Sequence, residues 1–421
     1  MRSSPRAIAV ALLVAAAACR TVPPAAAPPA AMWFRGNTHT HTLWSDGDDF
    51  PEMVADWYRA HGYHFVSLTD HNTLADEERW WRVPATGIGR AAYEKYRARF
   101  GDQVQERRAG DTTWVRLRRP AEYRPRLEQP GGFVFVEGEE ITQYLEKRGA
   151  HMTALNLAAL VPAQPGATLV EMFRRDLQQL DAQARQTGRP VVGVLNHPNF
   201  LWSQSAEDLL ALDGLRFFEV YNGHPLVYTQ GDALHAGNER IWDIVLAHRL
   251  ARGGALLYGV ATDDAHDYHP PAPERRYTGR GWVQVRATML TPDSLMAAMQ
   301  RGDFYASTGV TLADVRRDGS TLSLAIRGEP GVTYTTQFIG TRRGFDTTSV
   351  AVRDSTGRAL TRRYSADVGA VLATVAGTSA SYTMRGDELY VRARVVSSRA
   401  KADPAYAGEL ESAWTQPVRP E

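Results

Sequence analysis

Hydrophobic and polar positions follow two alternating patterns along the first three quarters of the chain. Short apolar runs of strand type, such as residues 65–68 and 191–195, alternate with segments in which apolar residues recur every three or four positions, such as 51–63 and 168–187. This alternation of strands and helices predicts an α/β domain built from βαβ units. The other predicted strands are 33–36, 133–136, 149–155, 217–222, 255–261 and 281–288, and the other predicted helices are 205–212, 241–250 and 292–301.

Two segments depart from this alternation. Residues 73–130 are rich in arginine and aromatic residues, and we interpret them as an insertion, part helix and part hairpin. The insertion is either a solvated cap or a lid that supplies cations to an anionic substrate. Residues 311–421 have strand-like alternation with turn residues between, and no helix of useful length is evident. They predict a small β-sandwich domain.

The first 31 residues have the pattern of an exported protein. Arg2 and Arg6 precede an apolar run that ends at the only cysteine, Cys19, so no intrachain disulfide is possible. Small residues directly before Cys19 resemble a bacterial lipoprotein signal, which implies a lipidated cysteine and a periplasmic or cell-envelope location. Secretion without lipidation is the alternative. The run is too short for an ordinary membrane-spanning helix, and residues 20–31 form a Pro/Ala-rich linker, so we expect membrane contact only through the lipid anchor.

Composition limits the classes of partner. The formal net charge is +1, with 43% hydrophobic and 23% charged residues, which is ordinary for a soluble globular protein. No domain-wide basic surface is available to neutralise many phosphates, so a large nucleic acid is a poor fit as substrate. The sequence leaves the oligomeric state open.

Metal-ligand residues recur just after the predicted strands. His39 and His41 lie at alternate positions, so both project to the same side of an extended chain. In parallel α/β folds the carboxyl ends of the strands meet at one edge, where active sites are built. Imidazole and carboxylate groups are ligands for Zn, Mn and Fe. The candidate metal ligands are His39, His41, Asp46, His71, Glu140, His151, His197, Asp264 and His266.

These residues lie in motifs that resemble the PHP (polymerase and histidinol phosphatase) family, in the family's order, between residues 33 and about 310. Two later segments, residues 219–222 and 413–417, are similar to the branch that contains CehA/McbA-type metallohydrolases. The motifs that carry the family resemblance are His39-Thr40-His41 with Ser45-Asp46, Thr69-Asp70-His71, residues 138–142, Gly149-Ala150-His151, Asn196-His197-Pro198 and Asp264-Ala265-His266.

The resemblance implies a distorted (β/α)7 barrel over residues 32–310 with two or three divalent metal ions. By the family's pattern the first ion is held by His39, His41, Glu140 and Asp264, the second by Glu140, His151 and His197, and the third by Asp46, His71 and His266. Because adjacent strand residues face opposite ways, Glu140 rather than Glu139 is the expected bridge. Asp70 and Asp263 are expected behind the ligands, orienting imidazoles.

The expected reaction is hydrolysis of a phosphate ester in a small anionic substrate, because divalent ions lower the pKa of bound water from 15.7 to roughly 7 and clamp the reacting oxygens. Catalytic roles are assigned to Glu140, Asp264 and His266. Substrate contacts are assigned to Glu219, Asn222 and His224. Two alternatives stay open: a carbamate, amide or ester hydrolase with the same metal site, and a non-catalytic surface metal-binding or adhesion protein.

Overall fold

The computed structural model describes residues 30–269 and 276–420. The predicted signal peptide, Cys19 and residues 20–29 of the predicted linker lie outside the described residues. Among the residues that are described, no helix combines the length and the apolar composition needed to cross a membrane.

The described chain is a mixed α/β structure. Its helices are α1 (Pro51–Ala60), α2 (Ile88–Phe100), α3 (Pro120–Leu127), α4 (Leu169–Thr187), α5 (Ala206–Leu210), α6 (Asn238–Ala251) and α7 (Pro292–Gln300), with a 3-10 turn at Gly101–Gln103. The strands up to the end of the predicted barrel are β1 (Met32–Asn37), β2 (Phe65–Val66), β3 (Arg79–Arg82), β4 (Glu106–Ala109), β5 (Thr112–Leu117), β6 (Val134–Phe135), β7 (Gly138–Leu145), β8 (Arg148–Leu155), β9 (Val192–Leu195), β10 (Phe217–Asn222), β11 (Tyr258–Thr262), β12 (Trp282–Ala287) and β13 (Phe304–Ser307). The remaining strands are β14 (Leu312–Asp318), β15 (Thr321–Ile326), β16 (Tyr334–Arg342), β17 (Ser349–Arg353), β18 (Ala359–Tyr364), β19 (Ala370–Ala376), β20 (Ser379–Thr383), β21 (Glu388–Ala400) and β22 (Leu410–Thr415).

Two large sheets position the candidate site. One has the order β11-β10-β9-β8-β7, and the other contains β1, β2 and β6 as parallel neighbours at one edge. Isolated parallel bridges, Thr40 with Ala265 and His71 with Glu140, join the strand ends of the two sheets. The carboxyl ends of β1, β2 and β11 and the start of β7 therefore meet in one place. The closed seven-stranded barrel stays a prediction.

The C-terminal strands continue the sheet that contains β1. Its full order is β19-β16-β21-β22-β13-β12-β1-β2-β6, so strands from both ends of the chain share one hydrogen-bonded layer. Described residues 311–420 contain strands and no helix, as the pattern indicates. The sandwich arrangement and the domain boundary near residue 311 stay predictions.

Helix α4 illustrates how local sequence sets the packing. The Thr168 side chain accepts a hydrogen bond from the Glu171 amide and caps the N-terminus, while Gly188, with φ +70°, ends the helix in the left-handed conformation. A Cβ on Gly193 of β9 would lie 2.6 Å from a methyl carbon of Leu180. Glycine at this position therefore allows the helix to pack closely on the sheet.

Residues 73–130 contain α2 and α3 with a three-stranded antiparallel sheet of order β3-β5-β4, where the sequence predicts a hairpin, and their interpretation as an insertion stays a prediction. This part of the chain packs on the segment after His41 through Tyr96, whose ring stacks on Phe50 at 4.0 Å. Arg99 pairs with Asp56 outside the insertion, at 2.9 Å. Arginine pairing with carboxylates of the fold favours the cap interpretation.

Candidate metal centre

The segment after β1 places two imidazoles on one side of the chain. His39 and His41 both project into the space between the two sheets, and both are fully buried. Thr40 turns the other way, where its hydroxyl lies 2.6 Å from the hydroxyl of Tyr268. The period-two alternation of extended backbone thus produces the pair of neighbouring imidazoles.

Four candidate ligands converge around one point. The Nε2 atoms of His39 and His41 are 3.2 Å apart. Each lies 3.3 Å from Oδ1 of Asp264 and 3.4 Å from Oε2 of Glu140. A tetrahedral ion with bonds of ~2.1 Å separates its ligand atoms by about 3.4 Å. The spacings from the two imidazoles to each carboxylate fit bonds to a divalent ion, and the ligand atoms of His39, His41 and Asp264 all lie within 4.8 Å of one another.

Glu140 faces a second group of imidazoles with its other oxygen. Its Oε1 lies 3.1 Å from Nδ1 of His151 and 3.3 Å from Nε2 of His197. His39, Glu140 and His197 form a compact group in which every ligand atom lies within 4.8 Å of the others. The two oxygens of Glu140 therefore address different imidazole sets, which is the geometry of a bridging carboxylate.

A third group lies at the open side of the centre. Oδ1 of Asp46 is 3.3 Å from Nε2 of His266 and 3.5 Å from Nε2 of His71, and 3.6 Å from Nδ1 of His41. His41 thus faces two groups, one with each ring nitrogen. The Asp46 side chain is 51% exposed, whereas Glu140 is 1% exposed. Solvent therefore reaches the centre from the Asp46 side.

Two candidate ligands have left-handed backbone conformations. φ is +51° at Asp264 and +25° at His197, a region that residues other than glycine rarely adopt. The Asp264 amide donates to the carbonyl of His39 at 3.0 Å, which holds the two ligand segments together. Such strain persists only where surrounding structure enforces it, and it concentrates at functional sites.

Metal ligands must be deprotonated. Burial lowers the pKa of His39, but attraction to Asp264, Glu140 and Glu219 outweighs it and raises that pKa well above the ordinary value, so metal binding must displace a proton there. Burial opposes ionisation of Glu140, but attraction to His39, His71 and His151 outweighs it and holds its pKa well below the ordinary value. Burial, and then repulsion from His266 and His71, lowers the pKa of His41 to about 3. The bridging carboxylate is therefore charged and the central imidazole neutral at physiological pH.

Glu219 lies directly behind the ligands rather than in the pocket. It is fully buried, and its Oε1 accepts a hydrogen bond from Nδ1 of His39 at 2.7 Å. The same carboxylate also accepts from the His197 amide at 2.7 Å and from Nδ2 of Asn222 at 2.8 Å. Both side chains are enclosed by protein and bonded to groups around the ligands, and the predicted substrate contacts of Glu219 and Asn222 stay predictions. In this structure Glu219 fixes the orientation of His39.

The hydrogen bonds of Asp70 and Asp263 among the described residues go to groups other than imidazoles, and their roles in orienting imidazoles stay predictions. Asp70 accepts hydrogen bonds from the Thr42 amide at 2.8 Å and from the Ser45 hydroxyl at 2.7 Å, so it holds the loop between His41 and Asp46. Asp263 accepts from the amides of residues 279–281 and from the Tyr58 hydroxyl. Asp70 directly precedes the candidate ligand His71, and Asp263 directly precedes Asp264. Adjacent residues of extended chain point to opposite sides.

Several residues around the centre had not been identified from sequence. The Thr142 hydroxyl lies 2.6 Å from Nδ1 of His71, and Thr142 follows Glu140 by two positions on β7, a spacing that places both side chains on one face. His224 remains near the pocket, with its ring centroid 5.9 Å from that of His266. Phe200 lies beside it at 5.3 Å, and no sequence pattern marked that phenylalanine.

Comparison with known proteins gives structural neighbours only. No family model matches the chain, and no curated protein matches it. A two-domain protein from Bacteroides vulgatus, described as containing a predicted PHP-like metal-dependent phosphoesterase, is 15% identical with a TM-score of 0.40, over 87% of this chain and 92% of that one. A putative metal-dependent phosphoesterase from Bifidobacterium adolescentis is 16% identical with a TM-score of 0.29, over 58% and 91%. An amidohydrolase from Chromobacterium violaceum, with bound sulfate and no metal, is 14% identical with a TM-score of 0.28, over 57% and 90%. Two of these descriptions name a metal-dependent phosphoesterase, and one of the two names the family that the sequence motifs resemble.

Proposed function

We propose that this protein is a PHP-type metal-dependent hydrolase that cleaves phosphate esters in a small anionic substrate. One observation carries the proposal. The Nε2 atoms of His39 and His41 lie 3.2 Å apart, and each lies 3.3 to 3.4 Å from a carboxylate oxygen of Asp264 and from one of Glu140, so ligands from three separate regions of the chain meet there. Buried imidazoles and carboxylates converge in this way where they share a cation, because buried charges otherwise need a partner.

The chain's own residues hold and tune the centre. When bound, divalent ions supply Lewis-acid charge and an activated water for hydrolysis. His39, His41, Glu140 and Asp264 would hold one ion, with Glu140 shared toward His151 and His197. Asp46, His71 and His266 would hold a further ion at the open side. The half-exposed Asp46 places this third group where substrate enters.

Charge balance connects the number of ions to the substrate. Asp46, Glu140 and Asp264 face the centre, and Glu219 adds a fourth carboxylate directly behind it. The positive charge of three divalent ions would exceed the negative charge of the four carboxylates, whereas the charge of two ions would only balance it. We therefore infer that affinity for an anionic ester requires the third ion, held at the group that contains Asp46.

Substitution of neighbouring glutamates tests the assignment. Glu140→Gln removes the bridging charge, whereas Glu139→Gln alters a carboxylate that points away and accepts from the Val161 amide at 2.7 Å. We expect Glu140→Gln to lose metal, by elemental analysis, together with at least a hundredfold in turnover. Glu139→Gln should keep both. Full metal content and full turnover in Glu140→Gln would contradict the proposal.

A substrate panel with one chromophore identifies the bond that is cleaved. We expect metal-dependent release of 4-nitrophenol from 4-nitrophenyl phosphate or bis(4-nitrophenyl) phosphate, and its loss on chelation. Release only from the corresponding carbamate or acetate would instead assign an acyl hydrolase that uses the same centre. Absence of turnover on all of them, with metal bound, would favour a metal-binding or adhesion protein.

We further propose that the protein is exported and anchored through a lipid at Cys19, and that its catalytic part is a distorted (β/α)7 barrel. The basic start, the short apolar run and the small residues before Cys19 support the first point. The two isolated bridges between the large sheets support the second. Mass analysis of the mature N-terminus tests the anchor, because diacylation changes the mass of the N-terminal peptide.

A further inference from the structure

Apolar side chains are exposed in the loops beside the candidate metal centre. Tyr144 lies near the tip of the β7–β8 hairpin and is 59% exposed, and Leu201, in the segment after the ligand His197, is 55% exposed. Leu226, shortly after His224, is 45% exposed. A bridge between Phe200 and Val227 joins the last two segments. Contiguous exposed apolar groups beside a polar cleft mark a binding surface.

Phe200 lies directly over the imidazoles of the second metal group. Its half-buried ring has its centroid 5.1 Å from that of His197 and 6.5 Å from that of His151. The segment that carries it is strained, since φ is +49° at Leu201 and +58° at Trp202. Strain of this kind persists where the surrounding structure enforces it, and here it holds a bulky ring beside the ligands.

Tyr144 approaches the same group of imidazoles from another loop. Its ring meets that of His151 edge to face, with centroids 5.4 Å apart and an interplanar angle of 88°. A tyrosine that is 59% exposed has most of its ring free for another contact. Two aromatic rings from different loops therefore lie next to one imidazole.

We propose that Phe200 and Tyr144 form an aromatic clamp that binds an aryl group of the substrate, so that the natural substrate is an ester of an aromatic alcohol or acid. Aromatic groups prefer offset or edge-to-face contacts with centroids about 4.5–7 Å apart. The rings of Tyr144 and Phe200 have centroids 5.4 and 6.5 Å from that of His151, so each borders the space beside this imidazole. The inference rests on the proposed function, because it assumes that the ester's head group is bound at the metal centre.

Binding of non-hydrolysable product analogues tests the clamp without turnover. Phenylphosphonate is compared with methylphosphonate, and benzoate with acetate, by calorimetry on the metal-loaded protein. We expect phenylphosphonate to bind at least tenfold more tightly than methylphosphonate. Phe200→Leu and Tyr144→Ala should each reduce this ratio severalfold while leaving the methylphosphonate affinity unchanged. Because Tyr144 is exposed on a hairpin, its variant folds even if substitution of Phe200 disturbs the loop.

Met289→Ala is the matched control, since Met289 is 56% exposed but lies beyond Ala287, which pairs with Met32 at the end of β1 opposite to the ligands. This variant should keep the wild-type ratio of phenylphosphonate affinity to methylphosphonate affinity. Equal affinity for the aryl and methyl ligands of whichever pair binds would overturn the clamp. If only the carboxylate pair binds, with aryl preference, the clamp stands and the phosphoester assignment fails. If neither pair binds, both fail.

Discussion

Glu219→Gln tests how much of the metal centre depends on the carboxylate behind it. The substitution keeps the shape of the side chain and replaces one oxygen by an amide that donates hydrogen bonds. Every protein group around the carboxylate is a donor toward it: one oxygen faces the His197 amide and the Asn222 amide group, and the other faces His39, Asn196 and Thr262. The new amide therefore faces donors in either orientation.

The hydrogen bonds around Glu219 determine how large the losses of stability and metal affinity should be. The favoured orientation keeps the hydrogen bond to His39, leaves the His197 amide unpaired and removes one of the two acceptors of Asn222 Nδ2, whose other acceptor is Asp264. Each unpaired buried group costs ~1–3 kcal/mol, so we expect the metal-free variant to lose about 3 kcal/mol of unfolding free energy. Loss of the charged partner of a metal-ligating histidine costs about 10–100-fold in metal affinity.

Two measurements separate these effects. Urea denaturation of the metal-free protein reports stability, and competition with a chromophoric chelator reports metal affinity. Glu52→Gln is the control: Glu52 is equally buried and accepts from the Tyr96 hydroxyl at 2.8 Å, away from the centre. It should leave metal affinity unchanged. Wild-type metal affinity in Glu219→Gln would refute the argument that this carboxylate orients His39.

Two further predictions concern stability. Burial raises the pKa of Asp176 to about 7, above its unfolded value of ~3.9; the folded state therefore retains a proton between these values, and stability from this group is full below pH 4 and is lost as pH rises through 7. Asp176→Asn should remove that pH dependence, of which roughly 3 kcal/mol falls between pH 5 and pH 8, and the difference between the urea midpoints at these two pH values should shrink accordingly; an unchanged difference would contradict it. The buried Arg392 guanidinium pairs with Asp243 at 2.7 Å between β21 and α6, so Arg392→Met should cost roughly 3–5 kcal/mol by leaving a buried carboxylate unpaired. The double variant with Asp243→Leu should recover part of that loss, and a double variant no more stable than Arg392→Met alone would count against the pairing argument.

The sequence by itself determined the alternation of strands and helices and the type of residue that follows each strand. His39 and His41 were identifiable as a pair because extended backbone repeats every two residues, and this rule is local. The same rule explains why Thr142 could have been identified, two positions after Glu140. The family resemblance assigned the remaining ligands to ions, and the structure brings the Nε2 atoms of His39 and His41 within 3.4 Å of carboxylate oxygens of Glu140 and Asp264.

Only the tertiary structure decided which other side chains reach the metal centre and which ones support the ligands from inside the protein. Glu219 and Asn222 follow a strand, as the ligands do, but their side chains point into the protein, where they orient other groups. Phe200 reaches the centre through a strained loop, and the C-terminal strands join the sheet that begins with β1. Such arrangements arise from contacts between residues far apart in the chain, and local periodicity carries no information about which distant surfaces will meet.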